Sequence, residues 1–132
     1  MSLKIEGMMP LIQVFNMPRA LKFYRDVLGF EIVGDSGNGD DSSWIWLRFG
    51  GAELMLNDQY EPGHVPDACP AERVRWHDDT CLYFSCPDVD AAHEYLKSKG
   101  LEVNPPKVAP YGMKQLYLKD PDGYGVCFQC PV

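Results

Sequence analysis

Apolar and polar residues alternate over short runs along this chain, and twice the alternation gives way to helical spacing. The first run, about Met8 to Phe15, ends at Asn16, whose side-chain oxygen suits a helix N-cap, with Pro18 in the first turn. Ala20, Leu21, Tyr24, Val27 and Leu28 then recur at three- and four-residue intervals, and Gly29 supplies a left-handed stop. Strand patterns follow around Phe30–Val33, Ser43–Phe49 and Ala52–Asn57, with a polar turn over Gly34–Asp41 and a tight hairpin at Gly50-Gly51. Further on, a strand around Thr80–Cys86 leads to a helix capped by Asp88 and stopped by Gly100. Strands are predicted at Leu101–Val103, Lys114–Lys119 and Gly125–Cys130, with Asp120-Pro121-Asp122-Gly123 turning between the last two.

The two stretches are one pattern written twice. Asn16-Met17-Pro18-Arg19-Ala20-Leu21-Lys22-Phe23-Tyr24, closed by Gly29-Phe30-Glu31-Ile32-Val33, is echoed by Pro87-Asp88-Val89-Asp90-Ala91-Ala92-His93-Glu94-Tyr95-Leu96, closed by Gly100-Leu101-Glu102-Val103. The offset of about 71 residues is too long for a solenoid and suits two fused half-domains. Each half reads βαβββ, so the expected class is α+β: two tandem modules, about 8–57 and 80–131, within a single domain spanning 1–132. Between them, residues 58–79 hold several prolines and almost no apolar periodicity, which predicts a solvated connection or a binding loop.

Composition narrows the function. At 132 residues and 45% hydrophobic content the chain can bury a true core. No apolar run reaches the roughly 20 residues a membrane span needs, and no secretory signal is read at its start, so a cytoplasmic location is expected. A net charge of −7 argues against a nucleic-acid partner, because affinity for phosphate backbones comes from Lys and Arg displacing counterions. The five cysteines, Cys69, Cys81, Cys86, Cys127 and Cys130, are odd in number and irregularly spaced, a poor disulfide framework. Cys127 and Cys130 have the C-x-x-C spacing but fall on a strand, where residues three apart face opposite sides and lie roughly 10 Å apart.

Paired βαβββ units, the run Phe23-Tyr24 to Leu28-Gly29-Phe30 at the helix exit, and the closing Asp120-Pro121-Asp122-Gly123-Tyr124 turn resemble the vicinal oxygen chelate superfamily, which includes glyoxalase I, bleomycin resistance proteins and extradiol dioxygenases. The resemblance covers nearly the whole chain. It implies that the strands curl as a curved mixed sheet into a cup, with helices outside and ligand inside, and that the protein is a homodimer. One scaffold hosts several chemistries, so the reaction has to be argued from the site.

Strand parity then sorts residues by face. With Ile12, Val14, Ile45, Leu47, Leu82, Phe84, Leu116 and Leu118 under the helices, the cup receives Trp44, Trp46, Arg48, Glu53, Met55, Tyr83, Gln115 and Tyr117. These eight are the candidate ligand-binding residues, and such an aromatic cup suits a small, partly aromatic organic molecule, with Arg48, Glu53 and Gln115 orienting it. Metal-dependent relatives carry ligands at four places that here fall on Met9, Cys81, Cys127 and either Glu53 or Met55. Divalent Fe, Mn, Ni or Zn prefers imidazole and carboxylate, and this set offers one carboxylate at best. No metal and no cofactor are therefore expected. His64 and His77 fall in the linker and are read as solvated, and His93 as lying on the exposed side of its helix. The resulting expectation is a metal-free small-molecule binding protein; the alternative is a metal-dependent lyase, isomerase or dioxygenase of the glyoxalase type using Glu53 and a rearranged His.

Overall fold

In a computed structural model, which describes residues 2–58, 60 and 64–132, each half of the repeat closes its own four-stranded mixed sheet. Strand β1 (Leu11–Val14), β2 (Glu31–Asp35), β3 (Trp44–Phe49) and β4 (Ala52–Asp58) assemble in the order β1-β4-β3-β2; β5 (Cys81–Ser85), β6 (Lys107–Val108), β7 (Met113–Lys119) and β8 (Gly125–Pro131) assemble as β5-β8-β7-β6. In each sheet the first strand runs parallel to the last, and the remaining pairs are antiparallel. The α+β architecture of two βαβββ modules is thus present.

The capping residues behave as their chemistry dictates. Asn16 Oδ1 accepts from the Arg19 amide at 2.9 Å at the start of α1 (Met17–Leu21), and Asp88 Oδ1 accepts from the Ala91 amide at 2.9 Å at the start of α3 (Val89–Ser98). Helix α1 continues over Lys22–Leu28 with the wider π-type turn and stops at Gly29, whose φ of 101° few other residues adopt. Phe23 joins Ala20, Leu21, Tyr24 and Leu28 in the interior, while Val27 is only partly covered. Ile12, Val14, Ile45, Leu47, Leu54 and Leu56 present the buried face of the first sheet, and Leu116 and Val126 that of the second. Burying each such side chain contributes about 1.5–3 kcal/mol.

Two expected features differ. No strand forms at Leu101–Val103; the sixth strand is Lys107–Val108, paired with β7. Pro105 and Pro106 lack the amide hydrogens a ladder needs, so pairing starts only beyond them, and the His93 ring takes the Val103 carbonyl at 3.2 Å. His93 is accordingly partly buried rather than on the exposed side of its helix. The second difference lies in the connection. Residues 59 and 61–63 of it are outside the described residues, but its later part forms a helix, α2 (Ala71–Trp76), and a single turn, His77–Asp79. This helix escapes an apolar-periodicity search because it docks through a buried charge, Arg73.

Arg73 reaches the Asp120–Tyr124 turn. Its Nε donates to Asp122 Oδ1 at 3.2 Å and its Nη2 to the Gln13 carbonyl at 2.7 Å. The same Asp122 oxygen accepts the Phe15 amide at 2.7 Å and Arg19 Nη2 at 3.2 Å. Asp120 Oδ1 accepts the amides of Asp122 and Tyr124 at 2.8 and 2.9 Å, and its Oδ2 accepts the Tyr24 hydroxyl at 2.6 Å. The turn of the second module is thereby tied to the strand and helix of the first. His77, expected in solvent, is partly buried instead: its ring stacks on Tyr124 at 4.0 Å and its Nδ1 lies 2.7 Å from the Asp122 carbonyl.

Gly123 has φ +91°, and a Cβ there would stand 2.1 Å from the Val74 carbonyl oxygen of α2. Gly123→Ala is expected to lower unfolding free energy by about 3 kcal/mol or more, combining left-handed strain with a backbone clash, as read by urea denaturation. Burial raises the Asp120 carboxyl above its ordinary value of 3.8, against the hydrogen bond from Tyr24. Because the folded state favours its protonated form, the Asp120 contribution is greatest below the unfolded pKa and is lost as pH rises through the folded one. Asp120→Asn keeps an acceptor for the two amides and abolishes this titration. Its stability relative to wild type should therefore improve as pH rises from 4 towards 7, a trend that unfolding curves across that range would reveal.

Candidate functional site

The residues assigned to the cup form two clusters, one on each sheet. On the first, Trp46 pairs with Met55 and Arg48 with Glu53 across the β3–β4 hairpin, so parity sets all four on the face opposite the buried leucines. Glu53 Oε1 accepts from Arg48 Nε and Nη2 at 3.2 and 3.1 Å and from the Trp46 indole nitrogen at 3.2 Å. The Arg48 guanidinium also lies 5.3 Å from the Trp46 ring centre. A one-residue bulge in β2 at Val33 brings Gly34 opposite Trp46. The edges of Trp46 and Trp44 lie beside Gly34, where a Cβ would meet them at 3.5 and 3.9 Å, ordinary van der Waals contact. Five of the eight candidates, Trp44, Trp46, Arg48, Glu53 and Met55, are therefore grouped on one surface.

On the second sheet Tyr83, Cys127 and Tyr117 form one row across β5, β8 and β7. The two phenols flank Cys127, their rings nearly perpendicular and their hydroxyls 2.8 Å apart. Tyr83 and Tyr117 are about half exposed, at 52% and 48%, whereas Cys127 is fully buried. The rings roof the thiol, and burial pushes both Cys127 and Cys81 above the usual thiol range. Tyr117 is likewise held in its protonated form, first by its bond to Tyr83 and then by desolvation. In the next row Gln115 is buried and donates to Gln129 Oε1 at 2.9 Å and to the Tyr111 hydroxyl at 2.8 Å. Tyr111 and Gln129 were not among the sequence candidates. Strand parity places Gln129 on the inward face with Cys127, but Tyr111 lies in a turn where parity carries no information.

Of the eight, Glu53 and Tyr83 line a common groove of about 830 Å³, with Phe30, Phe49, Cys81 and Ser85 among its other walls. The groove follows the outer edge of β5, which pairs only with β8. Trp44, Trp46, Arg48, Met55, Gln115 and Tyr117 do not line it. Among the described residues no three His, Cys, Asp or Glu side chains are grouped so as to hold a metal ion. Nor is any helix among them long and apolar enough to cross a membrane.

The two modules and their four-stranded sheets define a class that comparison with known proteins identifies. Residues 8–128 match the family model of the Glyoxalase/Bleomycin resistance protein/Dioxygenase superfamily, and the chain belongs to that superfamily. The uncharacterized protein YaeR of Escherichia coli (strain K12) is 32% identical over 106 residues, covering 76% of this chain and 77% of that protein. Among solved structures, TioX from Micromonospora sp. ML1 superposes with a TM-score of 0.73 at 20% identity, over 96% of this chain and 99% of that one. The bleomycin-binding protein of bleomycin-producing Streptomyces verticillus, solved with copper(II)-bleomycin, gives 0.67 at 23% identity, over 96% and 97%. These two likenesses establish the shared fold.

The roof over Cys127 has a measurable consequence. Alkylation of Cys127 by iodoacetamide in the native protein should be slow, and replacing both Tyr83 and Tyr117 with Ala should accelerate it by about tenfold or more, since thiol reactivity follows exposure and thiolate fraction. Peptide mass spectrometry after timed labelling would read the rate at this one residue.

Proposed function

We propose that the chain is a small-molecule binding protein of the glyoxalase and bleomycin-resistance type, metal-free, and that it takes a small, partly aromatic organic ligand against the exposed aromatic surfaces of its sheets. The observation that carries this reading is the engagement of Glu53: the one carboxylate that could stand at a metal place of the superfamily, where Met55 is the alternative, is bound by Arg48 and Trp46. The other places hold thioether and thiol groups, Met9, Cys81 and Cys127, with Met55 beside them, and burial keeps the two thiols protonated. Such donors suit Fe, Mn, Ni or Zn poorly. The indoles of Trp44 and Trp46 and the phenols of Tyr83 and Tyr117 instead offer flat, adaptable contact area at small entropic cost, with Arg48, Glu53 and Gln115 available to orient a ligand. A protein of this fold is named for binding bleomycin, so sequestration is among the uses of the scaffold. A homodimer fits this reading: Leu11 on the edge strand β1 leaves about half its surface open, and a second copy would cover it.

The competing reading is a metal-dependent lyase, isomerase or dioxygenase in which Glu53 leaves Arg48 to ligate an ion. Elemental analysis of protein purified without an affinity tag, followed by titration of metal-free protein with Fe, Mn, Ni, Co and Zn, separates the two. The binding reading expects no stoichiometric ion and no rise in melting temperature with any of the five. It further expects Glu53→Gln to keep its fold, within about 1 kcal/mol of wild type, because the ion pair it weakens is solvent-exposed. One equivalent of ion that is lost in Glu53→Gln would overturn it.

A further inference from the structure

The Tyr83–Tyr117 pair has an uneven hydrogen-bond account. Each phenol carries one proton, and each oxygen can also accept. With the oxygens 2.8 Å apart, one hydroxyl donates to the other, which uses one of the two protons. The second proton is not spent within the pair, and the sulfurs beside it, Cys81 next to Tyr83 and Cys127 next to Tyr117, are weak acceptors that a ligand oxygen can displace. The rings stand nearly perpendicular to each other and about half open to solvent, so a flat molecule can approach edge or face while its polar atom reaches the hydroxyls.

We infer that the Tyr83–Tyr117 pair is an acceptor-oxygen subsite, which binds the phenolate or aryl-carbonyl oxygen of a flat aromatic ligand through the unused hydroxyl proton. Donation from one phenol into the other polarises the terminal O–H, so the pair is a better donor than a lone tyrosine. The surroundings favour such an oxygen. Burial raises Cys81 and Cys127 and the pairing raises Tyr117, so at neutral pH the row carries no negative charge of its own. Two rows on, the ammonium of Lys119 is matched by Asp78, so it supplies no competing site. Glu53 and Tyr83 line one groove, so the Glu53 carboxylate on the other sheet is a further polar group facing the same space.

This inference rests on the aromatic-ligand reading above, and one experiment distinguishes failure of the two. The full chain is titrated at mildly alkaline pH with 4-nitrophenolate and with 4-nitroanisole, which has the same ring and nitro group but no ionised oxygen. The wild-type protein should bind nitrophenolate about tenfold or more tightly than nitroanisole, the scale of a hydrogen bond to a charged group. Replacing both tyrosines by Phe retains the rings and should bring the two affinities within about threefold, with nitroanisole binding unchanged. Should the double variant fail to fold, Y83F and Y117F singly should each narrow the ratio. Equal affinities in wild type, or a preference that survives in the Phe variants, would overturn the subsite and leave the aromatic-ligand reading standing. Failure of both compounds to bind would overturn both.

Discussion

The structure depends on one buried carboxylate. Asp122 Oδ1 accepts the Phe15 amide at the end of β1 and guanidinium donors from Arg19 in α1 and Arg73 in α2. These partners come from the first module and from the connection between the modules, while Asp122 itself belongs to the second. Burying an anion is costly unless cations and hydrogen bonds compensate it, and these three donors supply that compensation at Oδ1. Asp120 repeats the arrangement one step away, with two amides and the Tyr24 hydroxyl. The turn therefore sets the two modules against each other, and with them the groove between the edge of β5 and the β3–β4 hairpin.

The two faces of each sheet are divided by purpose. One face carries Ile45, Leu47, Leu54 and Leu56, or Leu116 and Val126, and is packed against the interior. The opposite face carries indoles, phenols, a guanidinium and a carboxylate that bond mainly to one another. Stability thus comes from the buried faces and the acidic turn, while the open faces are free to vary in chemistry. This separation is the physical reason one scaffold can serve many ligands.

Much of the open face was legible because strand parity has a period of two and the hairpin at Gly50-Gly51 fixes register. Trp46, Arg48, Glu53 and Met55 came out together for that reason, as did Tyr83 and Tyr117. Parity could not reveal that Glu53 is bound by its neighbours, that the two phenols meet over Cys127, or that Gln115 finds Tyr111. Those facts depend on rotamers and on a turn. The connection was misjudged for a related reason: α2 is anchored by Arg73 and His77 rather than by an apolar stripe, and a periodicity search sees only stripes.

By itself the sequence determined the α+β class, the two βαβββ modules, the helix caps at Asn16 and Asp88, the glycine stops and the facing of most strands. Each of these follows from local rules of propensity, capping and alternation that act within a few residues. Tertiary structure alone decided the role of the Asp120–Tyr124 turn, the docking of α2 on Gly123, and the groove that brings Glu53 and Tyr83 together. These join residues roughly 30 to 110 positions apart in the chain, and their energies come from desolvation and close approach, which no local pattern encodes.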